Sequence, residues 1–147
     1  MRRGEGGQSL VEYALTLPIL VFALLGAADL ARAYALELAV QNGARAGAEA
    51  AAIDSTPTQS ETIARARDEM DRTPGMNSGN ATVTMTLKQS DGTTDCIDPP
   101  TPGTPCFATV RVRYTFNTVT PWPLVPNSAN FDRQTTMRTI KGGALQP

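Results

Sequence analysis

Residues Tyr13–Ala28 carry no charged side chain, and that run restricts the chain more than any other feature of its 147 residues. As a helix, these sixteen residues would extend about 24 Å, short of the ~30 Å hydrocarbon core of a bilayer. Counting back to Gln8 gives 21 residues and about 31 Å, which matches it. Glu12 then falls near the membrane edge, where a carboxylate costs less than the ~2.5–3.5 kcal/mol of the membrane centre. Arg2 and Arg3 precede the run and no further cation comes before Arg32. This asymmetry predicts an N-terminus on the cytoplasmic side and a C-terminus outside. An ordinary single-pass anchor satisfies these facts. So does a secretory signal peptide cut after Ala28 or Ala33, although that leaves unexplained both Glu12 and the helical pattern beyond the run.

The rest of the composition excludes more than it assigns. The chain has no histidine, which removes the commonest general base and the commonest metal ligand. No serine, cysteine or carboxylate constellation replaces it, so no enzyme, metal or cofactor is expected. A net charge of −1 gives no reason to expect nucleic acid as a partner.

Around the start of the apolar run, Gly7 precedes Gln8, Glu12 is the fifth residue from Gln8, and Tyr13 follows it. The arrangement resembles the processing site of type IV-like prepilins, in the Glu-Tyr form of the tight-adherence (Tad/Flp) pilus system. The resemblance implies that a prepilin peptidase cuts between Gly7 and Gln8 on the cytoplasmic side. Glycine suits such a site because its backbone fits a narrow cleft. It also implies that Glu12 pairs with the new α-amine of Gln8 on a neighbouring subunit and so sets filament register; cyclisation of that glutamine would remove the amine. A simpler role for Glu12 is to favour the helix N-terminal dipole, worth about 0.3–1 kcal/mol.

Helix-forming, alanine-rich sequence continues to Ile53, predicting one helix over 8–53 of about 68 Å. Leu30, Tyr34 and Leu38 fall on one stripe, and Asp29 and Arg32 are spaced as an i, i+3 pair at the membrane exit, worth a few tenths of a kcal/mol. Pro18 predicts a kink or local unwinding. Gly43 and Gly47 lie outside the apolar run, so their spacing does not mark a membrane dimer; they permit close packing on another helix or on the chain's own domain. This segment resembles TadE-like minor pseudopilins at Glu12, Tyr13, Leu17, Pro18, Gly26, Asp29, Arg32, Tyr34, Gln41, Asn42, Ala44, Arg45, Gly47 and Ala48. An alanine would be more usual where Gly43 stands. The resemblance covers about residues 7–52 and implies a minor subunit of a Tad-type pilus, in the cytoplasmic membrane or in the filament. Its implied partners are the prepilin peptidase, the major and other minor pilins, and the Tad assembly machinery. Major Flp-type pilins are little more than the helix, so the longer chain points to a minor role.

Residues 54–147 read as an outer α+β domain, with residues 1–7 as leader. Pro57 stops the first helix, and Thr58 with Glu61 makes a capping-box pattern. A second helix follows, with Ile63, Ala66, Arg67 and Met70 on one face, ending at Pro74-Gly75. Period-two alternation predicts strands over Ala81–Lys88 and Phe107–Asn117, with Asp91-Gly92 as a turn and a third strand over Phe131–Ile140. Residues 120–131 read as a loop. The fold class is therefore a long N-terminal helix, a short helix and a small antiparallel sheet, the general plan of pilin-like subunits. Cys96 and Cys106 are expected to pair outside the cytoplasm, closing a loop worth about 2–3 kcal/mol. Asp91, Asp95 and Asp98 are turn residues or weak calcium ligands. Arg111, Arg113, Arg133 and Arg138 form either a basic stripe or a solvated strand face. Trp122, between two prolines, is either a core plug or an exposed adhesive contact.

Overall fold

The computed structural model describes residues 5–53, 58–96, 105–123 and 125–139, with side chains from residue 7 onward in the first helix. Helix α1 spans Glu5–Ile53, α2 spans Gln59–Met70, and a 3₁₀ turn at Ser78–Asn80 leads into the strands. Strands β1 (Thr82–Gln89), β2 (Cys106–Asn117) and β3 (Ser128–Arg138) form one antiparallel sheet in the order β1-β2-β3. The fold is α+β, as the alternation of helical and strand periods predicts.

Helix α1 is helical throughout, including across Pro18, so the predicted local unwinding does not occur. Its C-terminal half carries the core. Leu36, Val40, Ala44 and Ala48 are buried, and Val40, Ala44 and Ala48 join Ala66 and Met70 of α2 and Val83, Val110 and Val112 of the sheet in one cluster. Alanine dominates the α1 side because it lets α2 and the sheet pack close to the helix axis. The predicted Leu30, Tyr34 and Leu38 stripe is not part of this core. All three residues are exposed on the side of α1 that the sheet leaves open.

Thr58 caps α2: its hydroxyl accepts from the Glu61 N–H at 3.3 Å and donates to the Glu61 carboxylate. The preceding Pro57 lies outside the described residues. The buried face of α2 is Thr62, Ala66 and Met70, whereas Arg67 points to solvent. Ile63, half-buried, packs against the core with Ala66 and Met70 as predicted, so the correction is confined to Arg67, whose expected place is taken by Thr62 on the i, i+4, i+8 side.

In the sheet, Val112 of β2 pairs with Val83 and Arg133, and Arg113 pairs with Thr82 and Asp132. Strand β3 begins at Ser128, inside the segment predicted as a loop, and Ile140 lies outside the described residues. The predicted basic stripe is not a stripe. Arg111 and Arg113 both bond the Asp132 carboxylate (2.7 and 3.2 Å from their Nε atoms). Arg133 lies on the opposite face, paired with Glu37 of α1. Period-two alternation dictates that split, because 132 and 133 must point to opposite sides.

Candidate functional site

The first part of α1 is the simplest in contacts. From Gly7 to Leu24 every residue is exposed, and the large apolar side chains among them have no core to enter. Gly7 and Gln8 sit in the first turns of the helix, and a side chain at Gly7 would meet nothing. The Gln8 side-chain amide donates to the Glu12 carboxylate at 3.3 Å. One turn on, the Thr16 hydroxyl donates to the Glu12 carbonyl at 2.8 Å. Tyr13 is exposed beside it.

The polar centre of the molecule lies where this apolar segment ends. Asp29 is only 6% exposed, although it stands one residue past the uncharged run. One carboxylate oxygen accepts the Val119 N–H at 3.1 Å and an Arg32 guanidinium N–H at 3.0 Å. The other accepts the Thr120 N–H at 3.3 Å and the Trp122 indole N–H at 3.2 Å. Arg32 in turn lies over the Phe116 ring, 5.6 Å from its centroid. Asp29 thus holds the β2–β3 turn against α1 across 90 to 93 positions of sequence. Asn127 shapes that turn from the other side, its side-chain oxygen accepting the Trp122 N–H at 2.6 Å and the Thr118 hydroxyl at 3.1 Å.

Trp122 is neither a core plug nor a free adhesive contact. Its ring edge approaches Gly26 so closely that a Cβ there would sit 3.4 Å from the indole. It also meets Phe22 edge-on at 6.4 Å between centroids. Sequence reading placed Asp29 and Arg32 in a local pair and missed the turn that Asp29 receives. An acid directly after the apolar run and a lone tryptophan between prolines were the available signals.

Asp29→Asn is expected to loosen this turn, because an amide presents one acceptor oxygen where the carboxylate presents two, and a shift of the Trp122 emission measures it.

Gly43 and Gly47 face α2. A Cβ at Gly43 would lie 2.5 Å from the Met70 Cγ and 3.0 Å from the Ala66 carbonyl oxygen; at Gly47 it would lie 3.1 Å from Val110 and 3.2 Å from the Ala66 Cβ. Cys96 and Cys106 form a disulfide with Cα atoms 6.0 Å apart. Asp91 accepts the N–H groups of Thr93 and Thr94 at 3.1 and 3.0 Å, and Asp95 pairs with Lys88 at 2.6 Å. Asp98 lies outside the described residues. Among the described residues no group of three His, Cys, Asp or Glu is placed to hold a metal ion.

Helix α1 is the one element among the described residues that is long and apolar enough to cross a membrane. The family model described as TadE-like protein matches residues 7–49. The long helix is TadE-like. The TadE-like match begins at Gly7 and ends four residues before the helix does, leaving α2 and the sheet uncovered. Comparison with curated proteins and with solved structures gave no match. TadE-like proteins are associated with the Tad pilus and are typically structural, and a single apolar helix fits a single-pass anchor in such a system.

Proposed function

We propose that this chain is a non-enzymatic minor pseudopilin. It is cut between Gly7 and Gln8 by a prepilin peptidase and is drawn into, or assists assembly of, a Tad-type pilus. The observation that carries this reading is the coincidence of two things on one helix. The TadE-like match includes the segment of α1 whose large apolar side chains, from Leu10 to Leu25, stay exposed outside the core of the chain, and Glu12 stands near its start. Such a surface suits lipid before assembly and neighbouring helices after it.

In this reading the N-terminus lies in the cytoplasm and the sheet domain outside. Gly6 and Gly7 are poor helix formers, each about 1 kcal/mol less favourable than alanine, so the first turn can open to the peptidase at modest cost. Glu12 and Tyr13 serve recognition and register with the major and other minor pilins. Leu30 and Tyr34, exposed above the apolar run, continue the packing surface toward those subunits and the Tad machinery. Cys96 and Cys106 brace the outer domain.

Intact-mass and N-terminal analysis of the protein from its own host tests the reading. The expected N-terminus is Gln8, replaced by Met1 in a strain lacking the prepilin peptidase. A Met1 start in both strains would leave an unprocessed membrane-anchored binding protein.

A further inference from the structure

The β2–β3 turn reaches lower along α1 than an extramembrane loop should. Trp122 touches Gly26 and Phe22, both inside the uncharged run, and Phe22 lies seven residues below Asp29, about 10 Å down the helix axis. If the turn stayed wholly in water, the bilayer would have to end below Phe22. Only Gln8–Val21 would then remain to cross it, fourteen residues or about 21 Å, against a ~30 Å hydrocarbon core. The mismatch disappears if the turn itself enters the membrane.

We infer that the β2–β3 turn dips into the leaflet facing the sheet domain and is a second membrane contact, with lipid as its occupant. The indole is oriented for that boundary. Its N–H points up to Asp29 at 3.2 Å, while its benzo edge lies against Gly26, toward Phe22. Tryptophan concentrates at membrane interfaces because one edge is polar and the rest apolar. The apolar flanks agree: Val119 is 74% exposed and Val125 58%, with no core of their own to enter. Val119 and Thr120 turn their N–H groups inward to Asp29, so those donors are satisfied where water is scarce. Asp29 thereby does for the turn what no lipid can.

This rests on α1 being a membrane anchor, but not on processing or on a pilus. Trp122 is the only tryptophan in the chain, so the full-length protein reports on itself. It is reconstituted in phosphatidylcholine–phosphatidylglycerol vesicles carrying bromine near either the headgroup end or the methyl end of the acyl chains. Vesicle flotation is checked first. The expected result is flotation with blue-shifted emission, poor quenching by aqueous acrylamide, and a larger loss of intensity with shallow bromine than with deep. Flotation with emission that acrylamide quenches and bromine does not would overturn the proposal and leave the anchor intact. Flotation with protection from both quenchers would mean that protein, such as a second copy, covers the turn, and would also overturn it. A chain that does not float removes the anchor and the proposal together.

Discussion

Glu12→Ala is expected to abolish recovery of the chain in sheared filaments while leaving it in the membrane with its outer domain folded. The two effects separate because the Glu12 side chain is exposed and accepts a hydrogen bond from Gln8, at 3.3 Å, away from the α1–α2–sheet core. In the proposed filament, where Glu12 would pair with the α-amine of a neighbouring Gln8, removing one partner of that buried pair leaves the other charge uncompensated. That costs about 3–5 kcal/mol, or on the order of 10²–10⁴ in the assembly equilibrium. Immunoblots of the filament and membrane fractions measure the ratio directly. Wild-type incorporation of the variant would exclude register by Glu12 and favour the unprocessed anchor.

Gly43→Leu is expected to act at the other end of the same helix and to destabilise the outer domain. Met70 offers a flexible side chain that yields, but the Ala66 carbonyl, 3.0 Å from the new Cβ, belongs to the α2 backbone. The whole of α2 must therefore shift. Overpacking of this kind costs about 1–3 kcal/mol or more, only partly offset by a gain of about 0.8 kcal/mol in helix propensity. A net loss of about 2 kcal/mol lowers Tm by roughly 8–16 °C in a domain of this size. Thermal unfolding of the detergent-solubilised protein measures it, with Gly47→Ala as comparison. There the added methyl meets a Val110 methyl at 3.1 Å and the Ala66 Cβ at 3.2 Å, so α2 need give by only a few tenths of an ångström, and the change should be much smaller. Equal effects at the two positions would mean that α2 does not rest on α1 through Gly43.

The two halves of the molecule differed in how much of them sequence could convey. The apolar run, its basic flank and the alanine-rich continuation implied α1 to its last residue, Ile53, and to within three residues of its start at Glu5, because a membrane-length helix is dictated by local composition and length alone. Strands β1 and β2 were legible from alternation, since one buried face forces period two on the side chains. The outer limits of β3 were not: Ser128, Ala129 and Asn130 are small or polar and exposed, and they became strand only because Thr115–Asn117 offered backbone partners. The buried face of α2 was legible at Ile63, Ala66 and Met70 but not at Thr62, which enters the core while Arg67 does not, a choice made by where Gly43 and Gly47 let α2 approach.

What sequence determined by itself, then, is the membrane-length helix, the glycine–glutamate pattern at its start and the α+β class of the remainder. Each depends on neighbours within a few residues or on a fixed period. Tertiary structure alone decided the role of Asp29. Nothing near it in sequence announces that its carboxylate accepts two backbone N–H groups and an indole N–H from a turn some ninety residues away. Those donors need an acceptor only once β2 and β3 have paired and brought their turn against α1, and that contact is a property of the assembled chain.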